Sequence, residues 1–205
     1  MGWIVSKKYK FIFIHIPKTG GSSIAEPDYQ SSQGALISHL GKDDYVQAGH
    51  IRAVGLKSRM GSSWDDYFKF AFVRNPWDRT VSLYHYFLQD AEKQQTRLGR
   101  EIAKFGSFGE FCKNMNNIEL DPHFDPQISY MIDYEGNFLL DRVGHFESLE
   151  EDMNQICMRI GLPPLELPHF RKSRRENYRD YYDEKTAEII ATKYKSDIDA
   201  FKYNF

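Results

Sequence analysis

The stretch that most constrains the fold is FIFIHIPKTGGSSI, from Phe11 to Ile24. Phe11 to Ile16 is short, β-branched and aromatic, with almost no polar interruption, which is the pattern of a strand buried on both faces of a parallel sheet. Such a strand requires helices to cover it. Pro17 removes a ladder donor and Gly20-Gly21 supply the backbone freedom of a tight turn, so the strand gives way to a loop. Ser22 and Ser23 are candidates to cap a short helix after it. Loop amides, a helix start and the Lys18 ammonium would then converge, an arrangement suited to an anion and most naturally to a phosphate. This is not the ATPase loop, whose G-x-x-x-x-G-K-[ST] pattern places the lysine after the glycines; here Lys18 precedes them.

The same alternation continues along the chain. Trp3 to Val5 reads as a leading strand, and 45–49, 68–73 (FKFAFV) and 139–146 (LLDRVGHF) as further strands. Asn75-Pro76 makes an N-cap and first-turn pair for a helix over about 77–92. Ser148 with Glu151 has the spacing of a capping box, opening a helix that Gly161 closes. Asp183 starts the last helix, on which Ala187, Ile190, Ala191, Tyr194, Ile198 and Phe201 form one apolar stripe. A chain of 205 residues suits one core. The expectation is an α/β fold: one domain over 1–205, with a central parallel sheet flanked by helices, right-handed crossovers, and ligands beyond the carboxyl ends of the strands. Residues 89–136 interrupt the alternation with a short helix after Ser107 and the stretch DPHFDPQISYMIDYEG. They read as an excursion over the rim of the sheet that would form a second substrate wall.

Charged residues make up 27% of the chain, yet the net charge is only -2, so no global basic field exists to hold nucleic acid. Any anion site must be local. No apolar run approaches a membrane span, which leads to the expectation of a cytoplasmic protein. Cys112 and Cys157 stand far apart in helix-like sequence and are expected to be reduced and structural.

A second anion site is visible where FKFAFV runs into RNPWDRTVSLYHYF. A magnesium-dependent P-loop enzyme needs an acidic residue near such a strand end. This strand ends instead in Arg74, whose guanidinium fork matches phosphate oxygens, so no metal is expected. Arg79 and Ser82, three residues apart on a helix, share a face. Arg74, Arg79 and Ser82 would together offer charge and a hydroxyl donor. Two anion sites at two strand ends fit a nucleotide phosphorylated on both its 5′ and 3′ sides.

These residues carry a resemblance. PKTGGSS resembles the 5′-phosphosulfate-binding loop, and FVRNPWDRTVSLY the 3′-phosphate-binding segment, of sulfotransferases that use 3′-phosphoadenosine 5′-phosphosulfate (PAPS). The likeness is greatest to the branch containing the carbohydrate sulfotransferases, such as the heparan sulfate 2-O and 6-O enzymes and short bacterial relatives. It extends through VGHFESLEEDM and the final YRDYYDEKTAEIIATKYKSDIDAFKYNF. The resemblance implies a P-loop-like strand-loop-helix, PAPS as sulfuryl donor, 3′-phosphoadenosine 5′-phosphate (PAP) as product, a hydroxyl-bearing acceptor and no metal. It implies Pro17, Lys18, Thr19, Gly20, Gly21, Ser22 and Ser23 around the 5′-phosphosulfate, and Arg74 with Ser82 on the 3′-phosphate. Because sulfotransferases commonly carry a basic loop late in the chain, Lys172, Ser173 and Arg174 are expected to close over the 3′ side.

Lys18 would stabilise charge developing on the leaving phosphate, and a histidine is the apt base for the acceptor hydroxyl at neutral pH. His15 lies within the buried strand and reads as a core histidine; His85 and His145 read as structural. His50 follows a strand between the two nucleotide motifs, where related enzymes carry their base, and is the leading candidate. His39 is second and His123 third, with His123 and Gln127 as candidate acceptor contacts. The competing readings are a metal-dependent nucleotide kinase and a nucleotide-binding protein without catalysis.

Overall fold

The strands of the computed structural model are β1 (Ile4–Ser6), β2 (Phe11–Ile14), β3 (Tyr45–Gln47), β4 (Phe68–Val73) and β5 (Arg142–His145). They form one sheet in the order β3-β1-β2-β4-β5. The structure describes residues 2–25, 36, 40–41, 43–118, 121–165, 167 and 176–205. Among these the helices are α1 (Gly21–Ala25), α2 (Ala53–Met60), α3 (Pro76–Gln89), α4 (Ala91–Gln94), α5 (Arg97–Ala103), α6 (Phe108–Asn114), α7 (Leu149–Ile160), α8 (Glu184–Lys193) and α9 (Lys195–Phe201).

The α/β expectation holds. β2, β4 and β5 are parallel neighbours, with Phe13 opposite Phe70 and Val73 opposite His145. β1 is antiparallel to β2 on one side and to β3 on the other. Two reversals cancel, so β3 runs in the direction of β2, β4 and β5, and the ends of all four point to one edge. The single inverted strand β1 makes the sheet mixed rather than purely parallel. It arises because the β1–β2 connection is a short turn, which permits only an antiparallel hairpin; Lys10 takes a positive φ of 52° there, and the Ser6 hydroxyl accepts from the Tyr9 amide at 3.2 Å.

The described residues sort into two compact units, Met1–Val73 with Gln127–Arg171 and Arg74–Pro126 with Lys172–Phe205. In the first, alternate residues of the central strands, Phe11 and Phe13 with Phe70 and Phe72, meet Met153, Ile156, Cys157 and Ile160 of α7 in one buried cluster. Each such side chain removed from water contributes about 1.5–3 kcal/mol. α7 ends as the sequence indicates, with Gly161 in the left-handed region at φ 76°. Its start differs: Ser148 makes no side-chain cap, and its hydroxyl donates instead to Asp152 at 2.8 Å. Burial raises the Asp152 carboxyl, but bonds from the His145 amide, Ser148 and Arg142 outweigh this and hold it below its usual range.

In the second unit, Trp77, Val81, Leu83 and Phe87 of α3 pack with Phe108, Phe111, Cys112, Ile190 and Tyr194. Asn75 caps α3, accepting from the Trp77 amide at 3.0 Å, with Pro76 in the first turn as expected. The excursion is helical: α6 begins after Ser107, and α4 and α5 precede it. Asp183 caps α8 in a capping box with Thr186. The expected final helix is two, α8 and α9, divided at Tyr194, which lies outside helical geometry at φ -108° and ψ 27°. The demand is tertiary: Tyr194 is buried, and its hydroxyl donates to the Phe124 carbonyl at 3.1 Å. Cys112 and Cys157 are buried free thiols, pushed up by burial to about 12 and about 11.

Candidate functional site

In the first unit β2 leads through buried His15, Ile16 and Pro17 into the glycine loop. Thr19 is completely buried and donates to the Ile16 carbonyl at 2.9 Å, closing a turn back on the strand. Lys18 adopts φ 68° and Gly20 φ 89°. Glycine tolerates that region freely, whereas a lysine there is held against its intrinsic preference. α1 begins at Gly21, and the amides of Ser23 and Ile24 turn back onto the Gly20 carbonyl at 3.0 and 3.3 Å. Ser22 and Ser23 therefore lie inside the first turn of α1 instead of capping it.

The two glycines are required for different reasons. A Cβ on Gly20 would stand 3.1 Å from side-chain carbons of Leu149 and Phe146, on a backbone that already has positive φ. A Cβ on Gly21 would fall 2.0 Å from Nε2 of His15, an impossible contact. At both glycines the loop packs its backbone directly against these side chains. With the opening amides of a helix and an ammonium beside it, its donor set fits a phosphate or phosphosulfate group.

His50 follows β3, and the common direction of β3 and β2 brings it to the edge where the glycine loop starts. Its ring is 5.2 Å from that of His15, and its Nδ1 is 3.4 Å from the His15 carbonyl oxygen. A carbonyl only accepts, so in the tautomer that makes this bond Nδ1 carries the proton and Nε2 is the basic nitrogen. His50 is exposed. Two residues on, the Arg52 guanidinium lies 5.9 Å over the Tyr130 ring. Gln127, expected at the acceptor, is completely buried in the turn Gln127–Tyr130. His39 lies outside the described residues.

In the second unit Arg74 is buried and paired. Its Nε and Nη2 donate to Oδ2 of Asp78 at 2.8 and 2.7 Å. The pair fixes the plane of the fork and balances its charge, so the guanidinium is oriented rather than an unopposed cation. Asp78 was missed from the sequence, although an acidic residue in the first turn of α3, four positions after Arg74, was the available signal. Ser82, two turns along α3, is buried.

Arg79 departs from expectation. It is 2% exposed, donates through Nη1 to the Asp125 carbonyl and through Nη2 to the His123 carbonyl, both at 3.0 Å, and lies 5.7 Å over the Tyr194 ring. Sharing a helix face with Ser82 does not make it a phosphate ligand; it holds the segment from His123 to Asp125. His123 itself bonds through Nδ1 to Asp121 at 2.6 Å and stacks on Tyr86. Lys172, Ser173 and Arg174 lie outside the described residues. Among the described residues no three His, Cys, Asp or Glu side chains converge as a metal site would. None of the helices among them is long and apolar enough to cross a membrane.

Residues 1–204 match the sequence model described as "Sulfotransferase family". The chain is 27% identical to human carbohydrate sulfotransferase 9 over 225 residues, covering 95% of this chain and 47% of that protein. It is 24% identical to mouse carbohydrate sulfotransferase 14 over 183 residues, 78% of this chain and 47% of that one. An uncharacterized protein of Archaeoglobus fulgidus is 29% identical over 128 residues, 60% of this chain and 93% of that one. The chain thus spans about half the length of the carbohydrate sulfotransferases it matches.

Proposed function

Since the chain belongs to the sulfotransferase family, we propose that it moves a sulfuryl group from PAPS to a hydroxyl of a glycan, glycoside or other small alcohol. The observation that carries this reading is the meeting, in one unit, of the glycine loop behind Lys18 and His50, whose Nδ1 lies 3.4 Å from the His15 carbonyl at the entry to that loop. When bound, PAPS supplies an activated sulfuryl group with PAP as leaving group; the acceptor oxygen forms the new S–O bond as the bond to the 5′-phosphate breaks. Lys18, the amides of the loop from Thr19 to Ser22 and the Ser23 hydroxyl, with Pro17 shaping the start of the loop, stabilise charge on that phosphate. His50 takes the acceptor's proton on Nε2. Arg74, oriented by Asp78, and Ser82 donate to the 3′-phosphate. Lys172, Ser173 and Arg174 are proposed to cover that side, and His123 to contact the acceptor. The cytoplasm is the proposed location.

The test is ligand binding without added magnesium. PAP at a hundredfold excess over its Kd should stabilise the fold by about 2.7 kcal/mol, roughly 5–10 °C in Tm for a chain of this size. Arg74→Ala should lose about 1.5–3 kcal/mol of PAP binding, the value of a charged hydrogen bond, and bind adenosine 5′-phosphosulfate, which has no 3′-phosphate, unchanged. If ATP protects better than PAP and only with magnesium, the kinase reading replaces this one.

A further inference from the structure

His15 reads from the sequence as a core histidine, and its 8% exposure agrees. Its surroundings are not those of a filler. One side of the ring stacks on Phe13, with centroids 6.0 Å apart and planes 24° from parallel. Another closes on the Cα of Gly21, so closely that no side chain fits between them. A third meets the ring of His50 at 5.2 Å. The same residue's carbonyl faces Nδ1 of His50 at 3.4 Å. That distance is beyond the usual 2.7–3.2 Å of an N–H···O bond, and an exposed imidazole would not be kept in place by so long a bond alone. The ring contact adds a second restraint.

We infer that His15 is a positioning residue: a wedge shared by the phosphate loop and the base, which sets the tautomer and orientation of His50 and ties them to the position of the first turn of α1. The inference rests on the reading of His50 as base. Within it, His15 touches neither donor nor acceptor. Its carbonyl fixes which nitrogen of His50 carries the proton, and its ring stops the His50 ring from turning away. Any displacement of Gly21 would press on the same ring, so the geometry of the anion cradle and that of the base are set together.

The experiment is a long-range 1H–15N correlation spectrum of the histidine side chains of the full chain, at a pH where they are neutral, with His50 assigned by the signals missing from His50→Gln. The wild-type protein should show His50 with the proton on Nδ1 and an unprotonated Nε2. His15→Ala keeps the backbone carbonyl and removes the ring that holds His50 against it, so the one-sided pattern should shift toward an exchanging mixture of the two tautomers, while the signals of His145 stay in place. Gly21→Ala approaches the same contact from the loop side and should disturb His50 likewise, so it carries the test if His15→Ala does not fold. A wild-type His50 protonated on Nε2, or an unchanged His50 pattern in either variant when folded, overturns the inference. The spectrum requires neither PAPS nor an acceptor, so its failure is separate from that of the sulfotransferase reading, which PAP-dependent stabilisation tests.

Discussion

Arg79→Met separates two readings of one residue. The substitution keeps the aliphatic stem in a site where Arg79 is 2% exposed, and removes both donors to the carbonyls of His123 and Asp125. Hydrogen bonds from a charged group are each worth about 1.5–3 kcal/mol, so the two together amount to about 3–6 kcal/mol. Relief from keeping a guanidinium out of water offsets part of that, and the net loss should lie near 3 kcal/mol. For a chain of this length that corresponds to a fall in Tm of about 6–12 °C, measured by circular dichroism. Arg79→Lys should be intermediate, since one ammonium does not reproduce the two-pronged geometry. In both variants PAP should still raise the Tm by the wild-type increment. If Arg79→Met melts within about 3 °C of wild type while the response to PAP disappears, Arg79 is a phosphate ligand and the strap is incidental.

Two further outcomes are expected. With an acceptor found by mass-spectrometric screening for a sulfate-mass gain, His50→Ala should turn over about 10²–10⁴-fold more slowly with PAP affinity nearly unchanged; the wild-type rate should fall on the acid side as the base is protonated, and that limb should be missing in the variant. His123→Ala turning over as slowly while His50→Ala stays active would move the base to His123. Asp152, its carboxyl held low in the fold, contributes stability that is present above the unfolded carboxylate value of about 3.9 and lost as pH falls through its lower folded value. Urea unfolding below about pH 4 should show that loss, and Asp152→Asn should flatten it; an equally steep acid limb in the variant would remove Asp152 from the account.

What could be read from the sequence was local. FIFI and FKFAFV declared themselves by their short, mostly aromatic and β-branched character, and α3, α7 and α8 by Asn75-Pro76, Gly161 and Asp183. The helices α4 and α5 also had local signals that were passed over, the caps Asp90 and Thr96. The remainder depended on partners distant along the chain. The strand expected over 139–146 is shortened to β5 because Leu139 instead bonds Met131, beside a bridge between Ile132 and Phe138. No spacing rule relates Arg79 to carbonyls 44 and 46 residues away, or His50 to a carbonyl 35 residues back. The loop motif was legible because its requirements are backbone ones; the setting of His50 was not, because it arises from two strands that end at one edge of the sheet.

The conformation of Lys18 has a consequence for how this protein would respond to selection. At φ 68° a lysine is under strain, and glycine or asparagine would adopt that turn more readily. A library selected for thermal stability alone should therefore drift toward Gly or Asn at position 18, each of which removes the ammonium proposed to act on the leaving phosphate. Selection for sulfuryl transfer should hold lysine there against that drift. Position 18 is thus a place where hardiness and turnover pull the sequence in opposite directions, and a stabilised version of this chain is better sought elsewhere in the fold.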